Sequence, residues 1–394
     1  MGAQFTFVHC ADLHLGSNFW GLAKTDPRLS ERLRESTFQS LRKIVDVGIE
    51  RSDFMVIAGD VFDDGATTPR TRLRFAKEME RYGKPVFVVR GNHDFRSTWD
   101  ESIPFPPNVI VMRSEPDRRL FDVHGNSIEV VGMSYPSQHT SENIALKLRG
   151  TPGVFTVGLL HCSVTDIAGN KEYAPCAVSD LLGRNVDYWA LGHIHKRCVV
   201  RESDPAIVYP GNPQGRNASE SGEKGCYVVS VDAGRPSLEF VPTQAVLWDA
   251  VEADITGMRS IDGLVSDIGR RSAPGSIITL KIKGRGCLDR PLRADPDGFA
   301  DTLAQEIGCS VDISSMTTVP GTERENGIIT GSITEAAEKY RAMDEEELLE
   351  LLCTSGPAKE FRRYLAQYAE NGELRGIAEA AEASAIGRVT GGPR

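Results

Sequence analysis

The sequence has no CxxC pair. Its eight cysteines (Cys10, Cys162, Cys176, Cys198, Cys226, Cys287, Cys309 and Cys353) are scattered, which argues against a zinc ribbon or a disulfide frame and for reduced thiols in a cytoplasmic setting. No run approaches the roughly 18 apolar residues of a membrane helix. The N-terminus lacks the basic-then-apolar pattern of a signal peptide, so no membrane association is expected. A basic excess is missing too. The formal net charge is −10, and residues 321–394, with 14 acidic and 9 basic side chains, carry −5 of it. A polyanion such as DNA would therefore have to be met by a local patch, by bound metal or by a partner protein.

What the chain does have is length and order. Its 394 residues favour two or three domains over one. The stretch Phe54 to Asp64 reads as a short buried strand, Phe54 to Ala58, that turns at Gly59 and leaves Asp60 at its carboxyl end. Gln4 to Ala11 is a strand ending at Asp12. Ser30 to Arg51 repeats apolar positions every four residues and predicts a helix, and Pro69 opens a second one to about Tyr82. Strands follow at 85–89, 108–112, 119–123, 127–132, 154–160, 187–191, 207–209, 225–231 and 238–242. This strand-rich order after an α/β opening predicts an α/β fold of two packed sheets with helices outside, over residues 1–243. From 244 to 320 the pattern restarts as strand, helix, strand, helix, strand, a small α/β unit. Residues 321–394 are acidic and helical, with Phe361, Tyr364, Leu365 and Tyr368 on one stripe and a frayed end from Val389.

The chemistry collects at the strand ends: Asp12 and His14 (DLH), Asp60 (GD), Asn92, His93 and Asp94 (GNHD), His161 (LLHC), His193 and His195 (GHIH). One histidine after an apolar run is usually a satisfied core residue. So many donors and acceptors on one sheet edge are costly to bury without a cation, and that edge is where α/β sheets hold ligands. Carboxylate, imidazole and amide without thiolate suit two divalent first-row metals, manganese foremost, with iron or zinc as alternatives. Two cations need a shared ligand, and Asp60, with two carboxylate oxygens, is the natural bridge. Such a pair binds both sides of a phosphoester and activates water. His93, held by the neighbouring carboxylate of Asp94, is placed to donate a proton to the leaving oxygen. His9, His124 and His139 fit no ligand role.

In that order the five motifs resemble those of the calcineurin-like metallophosphoesterases over residues 5 to about 200. The resemblance implies a four-layer α/β/β/α sandwich. It also implies one metal on Asp12, His14, Asp60 and His195, a second on Asp60, Asn92, His161 and His193, and His93 as proton donor. The stretches HCADLHLGS (9–17), AGDVFDDG (58–65), VVRGNHD (88–94), YPGNPQGR (209–216) and EKGCYVVSVD (223–232) further resemble the SbcD family of DNA repair nucleases, in its YhaO-like branch. That implies a capping domain at 244–320, a helical tail that docks an SbcC-like coiled-coil ATPase, DNA as substrate, and a homodimer paired through helices of the phosphoesterase domain; the helices 30–51 and 69–82 could serve there or equally cover the sheet. The chain departs from some members of that family at Asp63, where they carry a histidine.

The site motifs alone leave a small-molecule phosphodiesterase or protein phosphatase open, and also a scaffold protein whose metals only stiffen it. DNA calls for an open basic groove and a small molecule for a closed pocket. Arg70, Arg72 and Arg74 are expected to be solvated. Arg96 and Arg216, beside site loops, are the better phosphate contacts.

Overall fold

In a computed structural model of the protein the described residues are 4–17, 27–63, 67–95, 103–168, 173–320, 339, 342–353, 362–374, 376 and 380. The chain divides into two compact units, Met1–Trp248 and Asp249–Arg394.

The first unit is built on two six-stranded mixed sheets. One has the order β12 (Arg235–Pro242), β11 (Gly225–Asp232), β1 (Gln4–Cys10), β2 (Phe54–Ala58), β3 (Val86–Val89), β4 (Val109–Val111). The other runs β5 (Asp117–Val123), β6 (Asn126–Gly132), β7 (Phe155–His161), β8 (Tyr188–Gly192), β10 (Ala206–Tyr209), β9 (Cys198–Arg201). β1, β2, β3 and β4 are parallel to one another, as are β6, β7, β8 and β10. Parallel strands end together, so the loops after β1, β2 and β3 share one edge and those after β7 and β8 share another.

Alternation along the strands sorts the core into layers. Phe54, Val56 and Ala58 join Phe7, Val157, Leu159 and Tyr188 between the sheets, while Met55 and Ile57 face the helices. Those helices are Pro27–Arg51 and Pro69–Tyr82, whose Leu41, Val45, Phe75, Met79 and Tyr82 cover the first sheet. Pro69 stands in the first turn and Gly83 closes the helix in the left-handed conformation. Arg72, expected in solvent, lies on the inward stripe and is only 6% exposed. The outer face of the second sheet is covered by short helical turns such as Ile144–Lys147 and Val178–Leu181, packed on Leu160, Trp189, Leu191 and Tyr209. The fold is thus a four-layer α/β/β/α sandwich with a thin fourth layer.

In the second unit β13, which starts one residue before it (Trp248–Asp254), β14 (Ile277–Gly286) and β15 (Ser310–Pro320) form a three-stranded sheet. Leu264 and Ile268 of the helix Ile261–Arg271, with Phe299 and Leu303 of Pro296–Ile307, bury its core. Beyond 320 the described helices are Glu345–Cys353 and Arg362–Glu370. Arg96, Phe361 and the terminal stretch from Val389 lie outside the described residues. Among the described residues no helix is long and apolar enough to cross a membrane.

Candidate metal centre

Two close approaches bring the strand ends together. Gly192 closes β8 so tightly against β2 that a Cβ there would sit 1.8 Å from the Ala58 carbonyl. The loops after β1 and β2 are joined by backbone hydrogen bonds: Asp12 N donates to Gly59 O, His14 N to Asp60 O and Leu15 N to Val61 O, each at 3.0 Å. To present their side chains there, Asp12 (φ 54°), His14 (φ 43°), Asp60 (φ 50°) and His193 (φ 99°) take left-handed backbone. That strain is typical of functional sites.

All seven ligand candidates named from the sequence converge. Asp12, His14, Asp60 and His161 are buried to within 1%. His14 Nε2 lies 3.2 Å from His195 Nε2 and 3.8 Å from Asp60 Oδ2, and His195 Nε2 is 3.9 Å from Asp12 Oδ1. On the other side, His161 Nε2 is 3.4 Å from Asp60 Oδ2 and 3.0 Å from Asn92 Oδ1, which lies 3.2 Å from His193 Nδ1. Asp60 stands between the two groups, but through one oxygen. Oδ2 faces both imidazoles, whereas Oδ1 accepts a hydrogen bond from His93 N at 2.9 Å.

The hydrogen-bond roles fit a cation. His14 Nδ1 donates to Asp63 Oδ1 and His195 Nδ1 to Glu220 Oε1, both at 2.7 Å. With both Nδ1 protons committed, two Nε2 lone pairs face each other at 3.2 Å. Two lone pairs at that distance repel unless positive charge lies between them, and ring protons held by carboxylates are the usual support of metal-binding imidazoles. Burial, reinforced by Arg216, lowers the pKa of His14 and so keeps the ring neutral, against the pull of Asp63 and Asp60. At the second group burial opposes charge on His161, but Asp60 and Asp12 outweigh it and raise this pKa to about 9. A proton there occupies the place a cation would take. Burial and then the charge of His161 bring His193 down to about 3.

Two assignments change. Asp94 was expected to act with His93, but its Oδ1 accepts from Gly91 N at 2.7 Å and its Oδ2 from Val61 N at 2.8 Å. Buried there, and next to the Asp60 charge, it is pushed up to about 8. It ties two site loops together and does not hold His93. The carboxylate beside His93 is Asp63, whose Oδ1 lies 3.1 Å from His93 Nδ1. That hydrogen bond raises the pKa of His93 against partial burial, with Asp60 adding to it. Asp63 also accepts from Ser17 Oγ and lies 3.9 Å from Arg216 Nη1. Its position three residues after Asp60 was visible in the sequence, its double role was not, and nothing in the motif spacing marks Glu220. His9 is buried on Tyr188 OH at 2.9 Å, His124 pairs with Asp53, and His139 is exposed beside Tyr173.

The calcineurin-like phosphoesterase family model matches residues 5–197. Metallophosphoesterase YhaO of Bacillus subtilis is 34% identical over 318 residues, covering 78% of each chain. The DNA double-strand break repair protein Mre11 of Archaeoglobus fulgidus is 27% identical over 322 residues, 72% of this chain and 69% of that one. The SbcD component of the nuclease SbcCD of Escherichia coli K12 is 25% identical over 284 residues, 59% and 66% respectively. Carrying the matched motifs on the expected sandwich, and sharing a third of its residues with YhaO over most of both chains, the protein belongs to the calcineurin-like metallophosphoesterases.

Proposed function

We propose that the chain is a metal-dependent DNA nuclease, an exonuclease or endonuclease hydrolysing phosphodiester bonds in DNA repair. Asp12, His14, Asp60 and His195 would hold one divalent cation and Asp60, Asn92, His161 and His193 the other. Manganese suits this nitrogen and oxygen set, with iron or zinc as alternatives. Such a pair supplies charge to the phosphoester and acidifies the attacking water. The chain's own residues do the positioning. Asp63 raises the pKa of His93 at the lip of the site and so favours the protonated ring, which donates to the leaving oxygen. Arg216 lies at the rim beside Asp63 and His195, within reach of a substrate phosphate.

The observation that carries the hydrolytic reading is the 3.2 Å approach of His14 Nε2 to His195 Nε2, with Asp60 between the two ligand groups. For DNA as the substrate, support comes from relatives named as a nuclease and a repair protein. The His93 side chain, 48% exposed, also opens the lip to solvent, as a large substrate requires. On this reading residues 1–243 are the nuclease domain, 244–320 are a capping-type domain, and 321–394 are the segment for an SbcC-like ATPase. Two copies pair as a homodimer in the cytoplasm.

Purified protein with Mn²⁺ is expected to degrade linear DNA, and His93→Ala to lose cleavage while keeping its metal. Turnover of a cyclic nucleotide or phosphoprotein with every DNA left intact, with and without the ATPase, would overturn the DNA assignment and favour a phosphodiesterase or phosphatase.

A further inference from the structure

The segment from Tyr209 to Lys224 includes the YPGNPQGR stretch yet supplies no cation ligand. It is nonetheless crowded with buried polar side chains. Asn212 is 0%, Gln214 2% and Lys224 8% exposed. Burial of this kind is destabilising unless each group is paired, and several of the pairings end on His195. Lys224 Nζ donates to the His195 carbonyl at 2.8 Å, and Asn212 N reaches the same oxygen at 3.3 Å. Gly211, with φ +76°, lets the segment run so close that a Cβ would stand 2.8 Å from that carbonyl. The ring is met by Glu220, whose Oε1 lies 2.7 Å from Nδ1. The other carboxylate oxygen, Oε2, accepts from Asn212 Nδ2 at 2.6 Å and from Arg216 N at 2.8 Å, so the carboxylate cannot swing away.

We propose that Glu220 is a positioning residue: it fixes the His195 proton on Nδ1 and so presents the Nε2 lone pair to the cation shared with Asp12, His14 and Asp60. The inference rests on the cation reading above and adds to it the device that sets one ligand's tautomer. Arg216 Nη2 also lies near His195 Nδ1, at 3.3 Å, and could donate only if that nitrogen were bare. A bare Nδ1 would then oppose a carboxylate oxygen at 2.7 Å, two acceptors in contact. The shorter, charge-assisted contact prevails and the proton stays on Nδ1. Arg216 instead lies between the carboxylates behind the two imidazoles, with Nε 3.7 Å from Glu220 Oε1 and Nη1 3.9 Å from Asp63 Oδ2. The imidazoles of His14 and His195 are thereby held by the same construction, each with an anion behind it. The segment that the catalytic motifs left unexplained is the clamp for one of them.

The test is Mn²⁺ titration of the full-length protein, followed by the paramagnetic resonance of the free ion, for wild type, Glu220→Ala and Glu220→Gln. Nitrogen-15 NMR of the metal-free histidines runs alongside. Wild type is expected to bind two ions. Glu220→Ala should weaken one site by about 10–100-fold and leave the other, with His195 losing its single Nδ1–H tautomer. In Glu220→Gln the amide oxygen stays with its two donors, Asn212 Nδ2 and Arg216 N, which turns the amide NH₂ toward Nδ1; the proton moves to Nε2 and that site should weaken by about tenfold or more, so this variant decides the matter should Glu220→Ala fail to fold. A wild type that binds no Mn²⁺ would overturn the cation reading itself. Two ions bound by wild type and equally well by Glu220→Ala, or an unchanged Nδ1–H tautomer in a folded Glu220→Ala or in Glu220→Gln, would overturn only the role of Glu220.

Discussion

Cation binding should show as stability, and Asp60 is where to perturb it. Four non-glycine residues at the centre (Asp12, His14, Asp60 and His193) keep left-handed backbone. At about 1–2 kcal/mol each, this stores about 4–8 kcal/mol. The buried acceptors around them add repulsion when no cation is present. Cations that bind only the folded cage stabilise it by mass action. At a hundred times the dissociation constant each contributes about 2.7 kcal/mol, so two contribute about 5 kcal/mol. For a unit of this size that corresponds to a rise in Tm of about 10–20 °C. Asp60→Asn keeps Oδ1, which accepts from His93 N, and removes the charge from the oxygen facing both His14 and His161. A hundredfold loss of affinity at both sites leaves about 0.4 kcal/mol per site at the same Mn²⁺ concentration, a rise of about 2–3 °C. Calorimetry of both proteins, with chelator and with Mn²⁺, measures the difference. A full rise retained by Asp60→Asn, or no rise in wild type at saturating Mn²⁺, would refute a cage bridged by this carboxylate.

His93→Ala should reduce phosphodiester turnover by about 10²–10⁴-fold, the range for loss of a general acid, while Mn²⁺ stoichiometry measured by elemental analysis stays at the wild-type value. Gly91→Ala places a methyl 2.1 Å from Asp60 Oδ1 and 2.8 Å from His161 Nε2, and should abolish tight binding at the second site in a protein whose far-ultraviolet circular dichroism is unchanged. Mn²⁺ binding must displace the His161 proton. Because that pKa is raised to about 9, affinity should rise about tenfold per pH unit below pH 9 and level off above it. A titration series at constant ionic strength that shows falling or flat affinity from pH 6 to 8 would contradict this.

The strand ends were readable because buried parallel strands are nearly continuous apolar runs. Phe54 to Ala58, buried at all five positions, stops where Gly59 and Asp60 begin. The helix from Pro69 was equally plain, with its first-turn proline and the glycine at its far end. The edge strand Cys198–Arg201 was missed because half of it faces solvent and its four residues carry too little pattern. The short helix Asp289–Ala294 was missed because six residues interrupted by a proline carry too little pattern. The ligand set could be found since its members lie within a few residues of the end of an apolar run. What surrounds the set could not. Asp94 looked like the partner of His93 because it is its neighbour in sequence, yet adjacent side chains in a tight turn point apart. The carboxylate at His93 comes instead from Asp63, on the loop after β2.

The candidate ligands ride on strand ends that this sandwich brings together. Their protonation and aim are set by residues on other loops. Asp63 stands behind His14 and beside His93, Glu220 stands behind His195, and Arg216 lies between the two carboxylates. A substrate phosphate that drew Arg216 toward itself would leave Asp63 and Glu220 less neutralised. Each carboxylate would then hold its imidazole proton more strongly, and each Nε2 would become a better donor to a cation. Substrate binding and cation binding should therefore reinforce one another through a single guanidinium, and in Arg216→Ala the Mn²⁺ affinity should no longer respond to a non-cleavable phosphodiester. An Arg216→Ala protein in which the analogue tightened Mn²⁺ binding as much as in wild type would place that coupling elsewhere.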